Sequence, residues 1–475
     1  MGIFIFLTDI LFQRNSYIKN KILGGNGMIN KKEILTNTRE MRNMISNFGT
    51  IDKILVFTHV ADADGMGCEV LSMLFRDLLL KYRLESFHVS NLLLDMDKRD
   101  YEAKKKLIDS ILEIHRISYR NPSEEIKITL EKNSGKNCIV VITDISSSPE
   151  LFKFIGNIDE PVLYIDHHEF SLETMKAYEE IIDKPGKYFM IESGTTGLNQ
   201  FETSERKENL FEFLRDIDFG SLIVNSKLKS SKISATYIFW ILILFLFPEI
   251  ITNIDSLYLF DSIMKLISDA DTYEWKKHSL HIDGKDAYGT SLFSTSTPDI
   301  FSLIFKYRGG DYLVYKLYNL AYKAFVQETY IRPEDVESII NENEVFVKCR
   351  EHNYEYYKKS AQMFLSDKFG LAEVTSVTDA DFSMFSNWRF SSNEKLDTTI
   401  MLYPDSRTIS IRTRESSGIN ASEVMRELFN GGGHENAAGG KLDVDRFCNW
   451  LKFYWDLKAE NKAAPMIDLK AQGLI

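Results

Sequence analysis

Cysteine is scarce: there are four in 475 residues, at positions 68, 138, 349 and 448, with no CxxC pair among them. That excludes a disulfide framework or a zinc ribbon and favours a reducing, cytoplasmic setting, with Cys68 and Cys138 read as buried thiols. Positive charge is short as well, with 57 Lys and Arg against 69 Asp and Glu and a formal net charge of −12. A long, sequence-blind grip on duplex nucleic acid, which neutralises many phosphates, is therefore excluded. A short nucleotide ligand is not, because bound cations can supply positive charge locally. No apolar run is long enough to span a bilayer; the one from Tyr237 to Phe247 stops at Pro248 and reads as a buried helix. The apolar stretch from Ile3 to Phe12 is interrupted by Asp9 and preceded by no Lys or Arg, which makes a poor secretory signal. Internal repeats and low-complexity tracts are missing too.

What is present suits an α/β protein of two or three domains. Three short, apolar, branched segments read as buried parallel strands: Ile54 to Thr58, Cys138 to Thr143 and Val162 to Ile165. Each runs directly into a potential metal ligand: His59 after the first, Asp144 after the second, Asp166-His167-His168 after the third. Helical patterns lie between them, at Gly67 to Tyr82 and Tyr101 to Ile117. Open α/β sheets bind ligands in the crevice at the carboxyl ends of their strands, so this placement is what such a site requires. From Ser294 to Asp367 the pattern is helical, with amphipathic stretches at Tyr312 to Gln327 and Pro333 to Phe364. A hairpin is expected from Thr398 to Tyr403 and Thr408 to Thr413, followed by a helix from Ala421 to Phe429, a glycine loop and, from Glu460, a loose tail. The string Leu23-Gly24-Gly25-Asn26-Gly27 before Met28 is compatible with a translated ribosome-binding sequence. On that reading Met28 is the natural start and residues 1–27 are a non-native extension, which the intact mass of natively expressed protein would test.

Five motifs carry chemistry. In His59-Val-Ala-Asp62-Ala-Asp64-Gly65, two aspartates and a histidine can feed two neighbouring cations, or the acidic residues can simply favour a helix N-terminus. Asp144 can bridge two metals between strand ends; alternatively, it or a following serine caps the helix that begins near Pro149. Adjacent histidines in Asp166-His167-His168 favour a site role, since a core histidine normally comes singly. In Ser268-Asp269-Ala270-Asp271, one aspartate can complete a metal cage, with helix capping as the competitor. Finally, Gly431-Gly432-Gly433-His434, running on to Ala437-Ala438-Gly439-Gly440, lets backbone N–H groups approach a phosphate. Arg412 and Arg414 end the preceding strand and can fork onto the same anion.

Taken together, these motifs resemble the DHH-family phosphoesterases that carry a DHH-associated C-terminal domain, and most resemble NrnB-type oligoribonucleases, with RecJ a more distant relative. The resemblance implies an N-terminal parallel-sheet DHH domain (28–293), a helical connector (294–367), a smaller α/β substrate-binding domain (368–459) and a tail (460–475). It implies one manganese ion on His59, Asp62 and Asp144, and another on Asp64, Asp144, His167 and Asp271; Mg2+ is a second candidate. The spacing of His59 and Asp62 departs from many relatives, which place the aspartate two or four residues on. His168, Arg412 and His434 would act on the scissile phosphate, Gly431, Gly432, Gly433 and Arg414 would bind substrate, and Asp166 and Asp269 would orient the ligands from behind. The implied activity is hydrolysis of short single-stranded RNA or DNA oligonucleotides to mononucleotides by water activated between two cations. Alternatives are a cyclic-dinucleotide phosphodiesterase, a 3′-phosphoadenosine 5′-phosphate phosphatase, or an inactive nucleic-acid-binding scaffold. No membrane partner is expected, and a homodimer is compatible with the pattern.

Overall fold

The computed structural model describes residues 51–59, 62–82, 101–117, 122–133, 136–146, 148–168, 171, 187–191, 233–247, 249–250, 254–272, 299–377, 382–429, 431–460 and 464–474. The Ile3 to Phe12 stretch and Met28 lie outside these residues. The chain divides into two compact units, Met1–Asn341 and Glu342–Ile475.

The first unit runs β1 (Lys53–His59), α1 (Ala63–Tyr82), α2 (Tyr101–Ile111), β2 (Leu112–Ile117), α3 (Pro122–Lys132), β3 (Cys138–Thr143), α4 (Pro149–Asn157), β4 (Val162–Asp166), β5 (Lys187–Ile191), α5 (Ala235–Leu246), α6 (Ile254–Thr272), α7 (Ile300–Arg308), α8 (Gly310–Ala321) and α9 (Pro333–Asn341). Its five strands form one sheet in the order β2-β1-β3-β4-β5, with every pair parallel. Strands β1, β3 and β4 are almost wholly buried, which is why they read as unbroken apolar runs rather than alternating ones. On one face Leu55, Phe57, Val140, Ile142, Val162 and Tyr164 pack against Ile126 and Leu130 of α3 and Leu151, Phe152 and Ile155 of α4. The order reverses between β1 and β3, so the crevice of the sheet opens at their carboxyl ends.

Two strands escape the apolar-run criterion. The helix expected over Tyr101 to Ile117 stops at Ile111, and Leu112–Ile117 becomes edge strand β2 beside β1. Five of its six residues are only partly buried or exposed, so its sequence, LEIHRI, lacks the fully apolar signature. Lys187–Ile191 is the opposite edge. The apolar run at Tyr237 is helix α5, buried along its length where described; Trp240 is fully enclosed and donates its indole N–H to Asp261 Oδ1 at 2.9 Å. Among the described residues, no helix is long and apolar enough to cross a membrane.

The second unit runs α10 (Glu344–Ser360), β6 (Gln362–Ser366), β7 (Gly370–Ser376), α11 (Phe382–Ser392), β8 (Thr398–Tyr403), β9 (Thr408–Thr413), α12 (Ala421–Phe429), β10 (Gly432–His434), β11 (Ala437–Lys441) and α13 (Val444–Glu460). The sheet order is β10-β11-β9-β8-β7-β6, antiparallel except for the β7–β8 pair. Side chains alternate along β8: Ile400 and Leu402 join a core with α12 and α13, while Met401 faces a second cluster of Tyr354, Tyr357 and Phe385. The protein is thus α/β, with a parallel sheet in its first unit and a second sheet in its C-terminal part.

Three expectations are corrected here. The amphipathic stretch from Pro333 to Phe364 is two helices and the start of β6, and the unit boundary falls at Asn341, inside the expected connector 294–367. The glycine loop is strand β10, three residues paired with β11. The tail beyond Glu460 is not loose: Met466 bridges Leu365, Leu469 and Leu474 are buried, and the Trp450 indole donates to the Leu474 carbonyl at 3.2 Å.

Candidate metal centre

Chain direction builds the first unit's site. His59 is the last residue of β1, Asp144 follows β3, Asp166 ends β4 and His167-His168 follow it, so the parallel order delivers three candidate ligand-bearing segments to one end of the sheet. Asp62 and Asp64 enter at the start of α1, and Asp271 arrives on the last turn of α6. Gly65 makes the exit into α1 feasible by close approach, since a Cβ there would run into the His59 carbonyl. Thr58 Oγ1 donates to the Gly65 carbonyl at 2.9 Å and Gly65 N donates to Asp62 Oδ1 at 3.0 Å, which fixes the turn.

Three groups of ligand atoms lie within 4.8 Å of one another: His59, Asp62 and Asp144; Asp64, His167 and Asp271; and Asp144, His167 and His168. Asp144 belongs to the first and third groups, with its two oxygens turned to different neighbours, and His167 joins the second and third. Oδ2 is 3.8 Å from His59 Nδ1, while Oδ1 is 3.3 Å from His167 Nε2. His167 Nε2 is also 3.4 Å from Asp271 Oδ2 and 3.8 Å from Asp64 Oδ2. His59 Nδ1 lies 3.1 Å from Asp62 Oδ2.

Behind the histidines, Asp166 is fully buried and its Oδ1 takes His168 Nδ1 at 2.7 Å. Tyr164 and Ser171 stand beside it: the Tyr164 hydroxyl is 3.5 Å from Asp166 Oδ2 and 3.3 Å from Ser171 Oγ. Asp269 is brought elsewhere; it pairs with Lys265 at 3.5 Å and belongs to none of the three groups. Ser148, rather than Asp144, caps α4, accepting the Leu151 amide at 3.3 Å.

Four carboxylates in one buried volume repel as bare anions. Burial and then Asp64, Asp62 and Asp271 hold the Asp144 carboxyl well above its ordinary value. Burial, only partly opposed by His167 and reinforced by Asp64 and Asp62, pushes Asp271 up to about 7. Burial likewise raises Asp64. Burial opposes the charged form of His167, but the carboxylates led by Asp271 outweigh it and raise the imidazole. For Asp62 and Asp166, burial is overcome by His59 and His168 respectively, and both carboxyls are lowered.

Whether these residues fit a cation can be judged from Asp144, whose Oδ2 is buried and accepts no hydrogen bond among the described residues. A buried carboxylate oxygen without a donor is costly, and a divalent cation would satisfy it while cancelling the repulsion. Carboxylate and imidazole donors together fit a divalent cation.

In the second unit, Arg412 lies on β9 opposite Ala437 of β11 and Thr399 of β8, and its Nη1 donates to Ser410 Oγ at 3.2 Å. Gly432 is exposed, and a Cβ on it would meet only open space, whereas one on Gly431 would collide with the Gly439 carbonyl. Gly431 therefore serves backbone packing, and Gly432 leaves its peptide uncovered. Gly433 and His434 complete β10 opposite Ala438 and Ala437. Arg414 contradicts the expectation of phosphate binding. Its Nε donates to the Leu396 carbonyl at 2.9 Å and its Nη2 to those of Phe390 and Asn393 at 2.7 and 2.8 Å, so it ties down the end of α11.

Sequence reasoning assigned no role to the amides of Ala235 and Thr236, which hold Asp64, or to Tyr164 behind Asp166. The available signal for the first was a small, hydroxylated Ser234-Ala235-Thr236 start to a uniformly apolar helix.

Residues 388–460 match the DHHA1 domain family. The chain is similar to the solved structure of RecJ from Thermus thermophilus in complex with Mn2+, at 12% identity over 94% of this chain and 57% of that one, with a TM-score of 0.44. It is also similar to a pGpG-specific phosphodiesterase, PggH from Vibrio cholerae, at 13% identity over 86% and 99%, with a TM-score of 0.34. A third likeness is to an exopolyphosphatase-related protein from Bacteroides fragilis, at 12% identity over 89% and 98%, with a TM-score of 0.35. No curated protein matches the chain by sequence. The second unit thus contains a segment similar to the DHHA1 domain, and the parallel sheet of the first unit ends in Asp166-His167-His168.

Proposed function

We propose that the protein is a manganese-dependent phosphodiesterase of NrnB type that degrades short single-stranded oligonucleotides, nanoRNA above all, to mononucleotides. The observation that carries this reading is Asp144, one oxygen turned to His59 and the other to His167, with Oδ2 lacking a hydrogen-bond donor among the described residues. On this reading His59, Asp62 and Asp144 hold one cation, and Asp64, Asp144, His167 and Asp271 hold another. When bound, a cation pair of this kind polarises phosphoryl oxygens and lowers the pKa of a water enough for attack near neutral pH.

The chain's own residues do the rest. His168, oriented through Nδ1 by Asp166, offers its other ring nitrogen to a phosphoryl oxygen as charge develops there. In the second unit, Arg412 is the guanidinium suited to a forked contact with phosphate, while the Gly432-Gly433-His434 strand offers backbone N–H groups and an imidazole. The few cationic side chains proposed for substrate suit a short strand rather than a long duplex, with bases stacking on aromatic rings.

The test is incubation with 5′-labelled RNA and DNA dimers to pentamers and Mn2+, alongside Asp144→Ala. Mononucleotide release by the wild type alone supports the proposal. Turnover confined to a cyclic dinucleotide or to 3′-phosphoadenosine 5′-phosphate would reassign the substrate, and no turnover of any phosphoester would leave only a binding scaffold.

A further inference from the structure

Asp64 lies in the first turn of α1 and is 1% exposed. Its carboxylate is held from elsewhere: Oδ2 accepts the Ala235 amide and Oδ1 the Thr236 amide, each at 3.1 Å. These amides open α5, whose preceding Ser234 makes no side-chain cap. The first amides of any helix lack partners within it, so a carboxylate from α1 caps a helix far away in sequence. The grip has a second end. Thr236 Oγ1 donates to the backbone carbonyl of Asp64 at 2.6 Å, so one residue, through its amide and its hydroxyl, holds both the side chain and the main chain of Asp64.

The approach of the two helices is built around that hydroxyl. A Cβ on Gly67, three residues further along α1, would run into Thr236 Oγ1, and Cys68 Sγ sits 3.6 Å from the same atom. Glycine is a poor residue for a helix interior, and here it occupies the position where any side chain would displace Thr236. Meanwhile Asp64 Oδ2 lies 3.8 Å from His167 Nε2, within the group completed by Asp271. Rotation of the Asp64 carboxylate would break both amide bonds and carry Oδ2 away from that group.

We infer that Thr236 is a positioning residue for the cation site: with the Ala235 amide it fixes the Asp64 carboxylate in the orientation that ligation requires. The inference rests on the metal reading of Asp64 given above. A residue serving only helix packing would change stability; a positioning residue changes cation affinity and is rescued by any side chain that restores the hydroxyl.

The experiment uses full-length protein stripped of divalent ions and titrated calorimetrically with Mn2+ alone, with denaturation of each metal-free variant measured in parallel. Thr236→Val preserves shape and removes the donor; Thr236→Ser preserves the donor. The valine variant should bind Mn2+ roughly ten- to a hundredfold more weakly, the range typical of residues that orient metal ligands, and serine should restore near wild-type affinity. In turnover, the valine variant should recover its kcat at saturating Mn2+. Should valine prevent folding, Thr236→Ala and Gly67→Ala make the same comparison, each weakening Mn2+ binding. Wild-type affinity in the valine variant, or a serine variant as weak as valine, overturns the inference alone. A wild type that takes up no Mn2+ overturns the metal reading of the whole site, and this inference with it.

Discussion

Asp144 occupies the left-handed backbone region, with φ 55°, where non-glycine residues are uncommon. Such a conformation costs on the order of 1–3 kcal/mol and persists where surrounding structure imposes it; here the Asp144 amide donates to the Ile165 carbonyl at 3.0 Å. Asparagine tolerates the same region, so Asp144→Asn separates backbone from charge. The metal-free variant should melt at or above the wild-type temperature, because a buried repulsion is gone. Its cation uptake and hydrolysis should fall by more than the roughly 10–100-fold typical of outer partners. Retained Mn2+ binding in calorimetry would remove Asp144 from the centre of the site. The two arginines at the end of β9 divide differently. Arg414→Ala should destabilise the protein by about 2–3 kcal/mol in urea denaturation, given its donations to three carbonyls, whereas Arg412→Ala should leave stability nearly unchanged and raise KM. Sequence alone could not separate them: they lie two positions apart at one strand end, and only the distant carbonyls of Phe390, Asn393 and Leu396 distinguish their roles. The motifs of His59, Asp144 and Asp166-His167-His168 were more legible in position, because each lies at the end of an apolar strand whose carboxyl end faces the crevice.

At the scale of elements, legibility followed burial. The hairpin of β8 and β9 and helix α12 lie where the sequence pattern places them: β9 and α12 each have one covered face, and β8 is an apolar run covered on both. Strand β2 was hidden because an edge strand with partly covered side chains, LEIHRI, continues a helical pattern without a break. The segment after α13 was hidden for another reason: its order comes from partners farther back in the chain. Ile467 donates its amide to the Leu365 carbonyl at 2.8 Å, and Trp450 is fully enclosed with its indole on Leu474. Deleting everything after Glu460 should therefore lower the melting temperature of the second unit, and Trp450→Ala should cost about 3–5 kcal/mol in denaturant unfolding. A truncated protein with unaltered denaturation would show that the segment adds nothing.

Across the molecule, the clustered carboxylates couple stability to pH. Asp271 is pushed up to about 7 and Asp144 also rises, whereas an unfolded aspartate titrates near about 3.9. The folded, metal-free protein thus binds protons that the unfolded chain releases. That contribution is complete below about pH 4 and is lost as pH rises through 7. The raised His167 acts with the same sign around neutrality, while Asp62 and Asp166, both lowered, change only in acid. In chelator, the melting temperature should fall between pH 5 and pH 8; with Mn2+ it should rise most at pH 8, because cations then replace no protons. A metal-free melting temperature that climbs across this window would contradict the assignment.

The ligands also enter the chain at widely separated points, from His59 at the end of β1 to Asp271 at the end of α6. A nascent segment holds only a fraction of the cage, and a parallel sheet of this connectivity forms its contacts late and slowly. On the proposed metal reading, an ion would therefore bind after the rate-limiting step, to the finished fold. Loading should slow unfolding by nearly the whole binding free energy while refolding keeps its pace. On the proposed metal reading, loss of the cation would then be the step that limits the lifetime of the folded, loaded protein.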